Sequence, residues 1–277
     1  MLSGANLETS DAARARTGHA IITGGSSGIG LAVARRLAAE GRAITLIARD
    51  AARLAAAREA LVPHTAAVAT HACDVADRPA LEAALSQAVA RHGVPDRVIT
   101  AAGVARPGLF ETLTPEAHER TMAVNYFGTL WTIHAVAPAM RAAGRGRIML
   151  VSSGAGLVGI YGYGSYAPSK FALRGLAEVL RAELKPDGVG VSILFPPDTD
   201  TPQLAAENRT KPAATRAITK TARIMTADAV AAAALRGLAR EKFAITPGWE
   251  MAALHQFGGL LAPLIRWHFD RIVSRRG

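Results

Sequence analysis

The run His19-Ala20-Ile21-Ile22-Thr23-Gly24-Gly25-Ser26-Ser27-Gly28-Ile29-Gly30, continuing into Leu31 to Glu40, decides the fold. His19 to Thr23 is short, apolar and β-branched, as a buried strand is. Leu31 to Glu40 has helical composition, and the glycines between them mark a tight turn. A strand, a glycine-rich turn and a helix N-terminus make a phosphate cradle. Glycines let the backbone approach the anion closely, and the free N–H groups of the first helical turn point at it. The spacing Gly-x-x-x-Gly-x-Gly is a variant of the dinucleotide fingerprint. Gly24, Ser26, Ser27, Gly28, Ile29 and Gly30 are therefore the candidate phosphate contacts.

Working outward, Ala43 to Ala48 reads as the second strand, followed by Arg49 and Asp50. An NAD site places an acid at this strand's end, to accept from the ribose hydroxyls. Here that position is Ala48, with Arg49 next and Arg53 one helical turn on. Arginines without an acid match a 2′-phosphate, so the expected cofactor is NADPH/NADP+. Ala66 to Cys73 reads as a third strand ending at Asp74, which either bonds an adenine amino group or caps the helix that starts near Asp77. Leu81 to Arg91 is helical, and Val98 to Gly103 is a fourth strand and turn whose small residues admit a cofactor. Thr114-Pro115 has the composition of a helix start. Asn125 sits inside that helix before Gly128. It marks either a local distortion that frees a carbonyl or a solvated side chain. Arg147 to Val151 and Val191 to Phe195 are strands five and six. Strands alternating with helices predict an α/β, Rossmann-like, doubly wound parallel sheet of about seven strands in a single domain. Helices cover both faces, and the site lies at the strands' carboxyl ends.

At the end of strand five stand Ser152 and Ser153, and thirteen residues beyond Ser153 is Tyr166, with Lys170 four further. Positions i and i+4 share a helix face. The phenol and the ammonium then point the same way, and the lysine charge is expected to lower the tyrosine pKa toward the range useful for proton transfer. Ser153 is placed to hold a carbonyl oxygen that Tyr166 protonates.

The chain has 277 residues, enough for one α/β domain with a large core. One cysteine, Cys73, excludes an internal disulfide framework and fits a reducing compartment, and no metal-ligand pattern is present. Residues 1–18 lack the apolar core of a secretory leader and read as a flexible arm. The net charge is +10, but no basic tract interleaved with aromatics accompanies it, which argues against nucleic acid. A phosphate-rich cofactor or an anionic membrane surface accounts for the charge. Residues 19–245 read as the dinucleotide-binding domain and 246–277 as an apolar and basic extension. In that extension Met251 to Ile265 is too short and too interrupted for a membrane span. It is read as an interfacial membrane contact, a cover for the substrate pocket or a subunit interface. Leu157, Val158, Ile160, Tyr161 and Tyr163 are expected to form one apolar wall beside the site.

Taken together, the glycine turn, Asp74, Asn125, Ser153, Tyr166 and Lys170 resemble the short-chain dehydrogenase/reductase family over residues 19 to 200. The resemblance implies a tetrad: Asn125 supports a proton-relay water, Ser153 orients the carbonyl, Tyr166 is the acid/base, and Lys170 also bonds the nicotinamide ribose. It places Gly103, Thr199 and Thr201 among the cofactor contacts. One departure stands at Thr100-Ala101-Ala102-Gly103, where the family carries Asn-Asn-Ala-Gly. Pro196-Pro197-Asp198-Thr199-Asp200-Thr201-Pro202 and Glu207 to Pro212 look like the branch that reduces the ketone of a long-chain sphingoid base with NADPH. Other carbonyl reductases, acting on 3-oxoacyl thioesters, steroids or retinoids, and a non-catalytic dinucleotide sensor remain alternatives. The resemblance further implies a homo-oligomer, dimer or tetramer, built through helices near 114–141 and 165–185. The cysteine usage and the apolar, basic ending are read as placing the protein in the cytoplasm, with at most peripheral attachment to the cytoplasmic face of a membrane.

Overall fold

The computed structural model describes residues 18–65, 67–220 and 223–275. The arm up to residue 17, Ala66 at the expected start of strand three, and Arg276 lie outside them. In chain order the elements begin β1 (His19–Thr23), α1 (Gly28–Ala39), β2 (Ala43–Ala48), α2 (Ala51–Leu61), β3 (Val68–Ala72), α3 (Arg78–His92) and β4 (Arg97–Thr100). They continue with α4 (Pro115–Met122), a π turn (Ala123–Phe127), α5 (Gly128–Ala142), β5 (Gly146–Val151), α6 (Tyr166–Leu184) and β6 (Val189–Leu194). The last part holds β7 (Thr199–Asp200), α7 (Pro202–Thr210), α8 (Ala213–Thr219), β8 (Met225–Thr226), α9 (Ala227–Ala239), β9 (Ala244–Ile245) and α10 (Trp249–Val273).

Seven strands form one parallel sheet in the order β3-β2-β1-β4-β5-β6-β9, as expected for a doubly wound fold. β7 and β8 make a separate two-stranded ribbon. The central strands are apolar throughout because both faces are covered. Side chains alternate along β1. Ile21 packs with Leu81, Val136 and Leu173 of α3, α5 and α6 on one face. Ala20 and Ile22 pack with Val33, Leu37 and Leu238 of α1 and α9 on the other. The chain leaves β1 for β2 and β3 on one side and returns to β4 on the other. The carboxyl ends of β1 and β4 therefore flank the crevice in which such sheets bind ligands.

Helix starts follow the local chemistry. Asp50 and Asp77 cap α2 and α3 by accepting from Arg53 N at 3.0 Å and Ala80 N at 3.1 Å. The long helix starting at Pro115 is interrupted by the π turn that carries Asn125, which bears out the distortion reading. Directly after it, a side chain on Gly128 would stand 2.6 Å from Val75 Cγ2, so glycine permits α5 to pack closely there. The C-terminal stretch is one continuous helix of 25 residues, α10, which runs through Gly258, Gly259 and Pro263 and packs against α8. No helix among the described residues is long and apolar enough to cross a membrane.

Candidate active site

The glycine turn is shaped by two close approaches. Gly24 adopts φ +68°, and a side chain there would come within 2.6 Å of the Ala101–Ala102 backbone. A Cβ on Gly30 would run into the Gly24 carbonyl. α1 starts at Gly28, so Gly28 and Gly30 lie in its first turn instead of ahead of a helix beginning at Leu31. Its N-cap Ser27 makes no side-chain cap bond, and the first turn carries no acid. The first-turn N–H groups and the positive helix end therefore have no side-chain carboxylate competing for them. Gly24, Ser26, Ser27, Gly28, Ile29 and Gly30 all border a single cavity of about 650 Å³.

Arg49 and Arg53 border the same cavity beyond Ala48. Arg53 also faces Asp50 at 3.4 Å and stays largely exposed. Asp74 lines the cavity but does not cap α3, since Asp77 does. Its carboxylate accepts from Ala76 N at 3.0 Å and from Arg120 Nη2 at 2.5 Å. Burial pushes its pKa up, but the Ala76 N–H, Arg120 and Arg49 outweigh this and hold it below the usual carboxylate value. On the far side, Thr199 Oγ1 donates to Pro197 O at 2.8 Å, and Thr201 caps α7 by accepting from Leu204 N. Thr201 also packs on the glycine turn, 3.1 Å from where a Gly28 side chain would stand. The departure at Thr100 leaves its buried Oγ1 without a partner. The next turn is held from elsewhere, by Asn125.

Asn125 is fully buried, which excludes the solvated reading. Its Oδ1 accepts from Val104 N at 2.8 Å, and its Nδ2 donates to Val104 O at 3.0 Å and to Ser169 Oγ at 2.9 Å. The amide thus ties the Gly103–Val104 turn to the helix that carries Tyr166. The Asn125 carbonyl is not left free: it accepts from the Thr129 hydroxyl at 3.0 Å. The two serines after β5 differ. Ser152 Oγ donates to Lys170 O at 3.1 Å, while Ser153 Oγ accepts from Ala155 N at 3.2 Å and faces the cavity.

Tyr166 and Lys170 lie on one face of α6, as their spacing predicts, and the ammonium stands 5.5 Å from the phenol ring centroid. Lys170 Nζ donates to Val151 O at 3.0 Å. The electrostatics differ from the expectation that Lys170 lowers the tyrosine pKa. Burial, the largest cause, and the negative charge of Glu207 push Tyr166 well above its ordinary value, against the pull of Ser153 and Gln203 beside it. Burial brings Lys170 down from 10.5 to about 8, with Glu207 opposing. The phenol is consequently a loaded acid at neutral pH.

Two residues at this site receive no role from the sequence, although Glu207 opens one of the runs that carry the resemblance. Gln203 and Glu207 sit one turn apart on α7, and Gln203 Nε2 donates to Glu207 Oε1 at 2.9 Å. The hydroxyl of Tyr163 donates to Glu207 Oε2 at 2.7 Å, and the Tyr163 and Tyr166 rings are 5.5 Å apart. Gly103 marks where the polar groups converge. A side chain there would meet Asn125 Oδ1 at 3.5 Å, Lys170 Nζ at 3.7 Å and Gln203 Oε1 at 3.9 Å. The i,i+4 spacing of two polar residues just after the proline-rich loop is the sequence signal that joins the α7 pair.

Apolar side chains also line the cavity. Val158, Ile160 and Tyr163 line it as expected, together with Met251, Leu254 and Phe269 of α10. Leu157 does not: it packs into the main core. Tyr161 also lies off the cavity, partly exposed, and its carbonyl accepts from Thr215 Oγ1. Met251 and Phe269 are eighteen residues apart, five full turns, and so share one face of α10.

Comparison with known proteins agrees with this geometry. The family model described as short chain dehydrogenase matches residues 18–212. The 3-dehydrosphinganine reductase of Danio rerio is 41% identical over 218 residues, covering 77% of this chain and 66% of its own length. The match thus spans just under two thirds of that vertebrate protein. The 3-ketodihydrosphingosine reductase of Dictyostelium discoideum is 35% identical, over 90% of this chain and 83% of its own. Among solved structures, a short-chain dehydrogenase from Sphingobium yanoikuyae in complex with NADPH superimposes with a TM-score of 0.76 at 29% identity, covering 90% of this chain and 95% of its own. Levodione reductase gives a TM-score of 0.78 at 25% identity, covering 86% and 98%.

Proposed function

The chain belongs to the short-chain dehydrogenase family, and on that premise we propose that it reduces the ketone of 3-ketosphinganine (3-dehydrosphinganine) to sphinganine with NADPH, a step of sphingolipid biosynthesis. One observation carries the reading: a single cavity is lined by the glycine turn, by Ser153 and Tyr166, and by apolar side chains of α10. The residues present fit the cofactor. The α1 N-terminus suits the pyrophosphate, and Arg49 with Arg53 suits the 2′-phosphate. Asp74 suits the adenine amino group, Gly103 and Lys170 the nicotinamide ribose, and Thr199 and Thr201 the neighbouring amide and phosphates. NADPH supplies the hydride that reduces the carbonyl carbon.

The chain's own groups do the rest. Ser153, whose hydroxyl is free to donate, holds the ketone oxygen, and Tyr166 gives it a proton. Burial keeps the phenol protonated, the form that reduction needs, but also makes it a weaker acid, which the Lys170 charge and the basicity of the developing alkoxide offset. Lys170, fixed on Val151 O, offsets the negative charge that develops on the oxygen and on the phenol. Asn125 holds the Val104 turn against α6 and so keeps the site closed around these groups, beside its expected support of a relay water. The 19–245 domain performs the chemistry, and the extension contributes Met251, Leu254 and Phe269 to the wall that takes the alkyl chain. The experiment is NADPH oxidation by purified protein with detergent-dispersed 3-ketosphinganine. Saturable turnover is expected, and its absence beside active reduction of a 3-oxoacyl thioester would overturn the substrate assignment.

The outward face of α10 presents Trp249, Leu260, Leu264 and Trp267 to solvent, each more than half exposed, with Arg271 over the Trp267 ring. Such a face, on a chain of net charge +10, supports peripheral binding to the anionic cytoplasmic surface of a membrane. Flotation with phosphatidylserine vesicles, compared with neutral ones, tests it. Exposed Phe127, Phe171 and Val179 on the helices of residues 115–142 and 166–184 support a homodimer or tetramer, measurable by light scattering.

A further inference from the structure

Glu207 is a buried acid that the chemistry of ketone reduction does not need. It is 8% exposed and borders the cavity. Its two oxygens accept from neutral donors, Tyr163 Oη and Gln203 Nε2. No lysine, arginine or histidine among the described residues forms an ion pair with it. Lys170 feels the Glu207 charge but gives its hydrogen bond to the Val151 carbonyl, and Lys211 faces Asp198 at 3.9 Å.

Burying a carboxylate on neutral partners is costly, and a glutamine would hold Tyr163 and Gln203 at lower cost. The placement is also unfavourable for a neutral ketone. Negative charge accumulates on the ketone oxygen and the phenol during reduction, and Glu207 repels it, as its effect on Tyr166 shows. A cation brought in by the substrate would reverse that sign. Each oxygen of the carboxylate has a lone pair left to accept from such a group.

We propose that Glu207 is a specificity-determining residue that receives an ammonium carried by the substrate on the carbon next to its ketone. This rests on the sphingoid-base reading and deepens it, because 3-ketosphinganine carries its amine on C2, one bond from the C3 carbonyl. With the ketone oxygen at Ser153 and Tyr166, the proposed pose directs the C2 substituent toward Glu207, whose partner Tyr163 has its ring 5.5 Å from that of Tyr166. Glu207 then selects aminoketones over plain long-chain ketones. Binding of the ammonium also removes the repulsion that opposes charge on the phenol.

The test compares kcat/KM at saturating NADPH for 3-ketosphinganine and for its deamino analogue 1-hydroxyoctadecan-3-one, in wild type, Glu207→Gln and Glu207→Asp. The readout is the ratio of the two values within each protein, which cancels any loss of folded enzyme. Wild type should favour the aminoketone by at least about tenfold, the worth of one hydrogen-bonded charge. Glu207→Gln should erase that preference, chiefly through KM, and Glu207→Asp should keep part of it. An unchanged ratio in Glu207→Gln, with 3-ketosphinganine still reduced by wild type, overturns this inference alone. Failure of wild type to reduce 3-ketosphinganine overturns the substrate reading and this inference with it.

Discussion

Replacing Lys170 with methionine should stabilise the protein while abolishing its turnover. Lys170 is 4% exposed, and burial lowers its pKa from 10.5 to about 8. At about 1.4 kcal/mol for each tenfold change in proton affinity, keeping it charged costs the folded state roughly 3 kcal/mol. The attraction to Glu207 is already contained in that value. Methionine fills a similar volume without charge and forfeits the bond to Val151 O, about 1 kcal/mol. The net gain is about 2 kcal/mol, or a rise of about 4–8 °C in Tm for a domain of this size. The sign depends on pH. Below pH 8 folded and unfolded chains both carry the proton, and the full cost is present. Between about 8 and 10.5 the folded protein releases it first, so wild type gains stability as pH rises and the two proteins converge. Scanning fluorimetry of both proteins from pH 6 to pH 10 in about half-unit steps reads this directly. A Lys170→Met protein that melts below wild type at pH 7, or a gap that does not narrow above pH 8, would refute the reasoning.

Other expectations follow from the same geometry. Tyr166→Phe should lower kcat by about 10³-fold or more while leaving NADPH affinity, read by fluorescence titration, close to wild type. Arg49→Ala should weaken NADPH by at least about tenfold and NADH very little, since only one of them carries the 2′-phosphate; equal losses in calorimetry would remove that role. Asn125→Ala strands the Val104 N–H and carbonyl, and should destabilise by about 2–4 kcal/mol in urea unfolding. A variant that unfolds at the wild-type midpoint would show that the Val104 turn is held by other contacts.

What the sequence makes legible is what depends on short-range pattern. The Ile21–Ile22 strand, the glycine turn and the Tyr166–Lys170 spacing are local, and the parallel sheet follows from the alternation of strands and helices they begin. The π turn at Asn125 is also readable, because an asparagine and a nearby glycine are poor residues for a helix interior. The tyrosine electrostatics are not. They depend on how deeply Tyr166 is buried and on Glu207, forty-one residues away, and neither is visible before the chain folds. Glu207 and Gln203 escape notice for the same reason: on a short polar helix they look like solvated residues until Tyr163 is packed against them. Leu157 and Tyr161 show the converse. Apolar residues in one loop need not share a wall, and here one faces the core and the other the surface.

The central claim is tested most directly by following the hydride. Purified protein, 3-ketosphinganine and NADPH deuterated at the transferable C4 position should yield sphinganine carrying one deuterium on C3 by mass spectrometry, with Tyr166→Phe forming it at least about 10³-fold more slowly. Unlabelled product, or no sphinganine under conditions in which a 3-oxoacyl thioester is reduced, would contradict it.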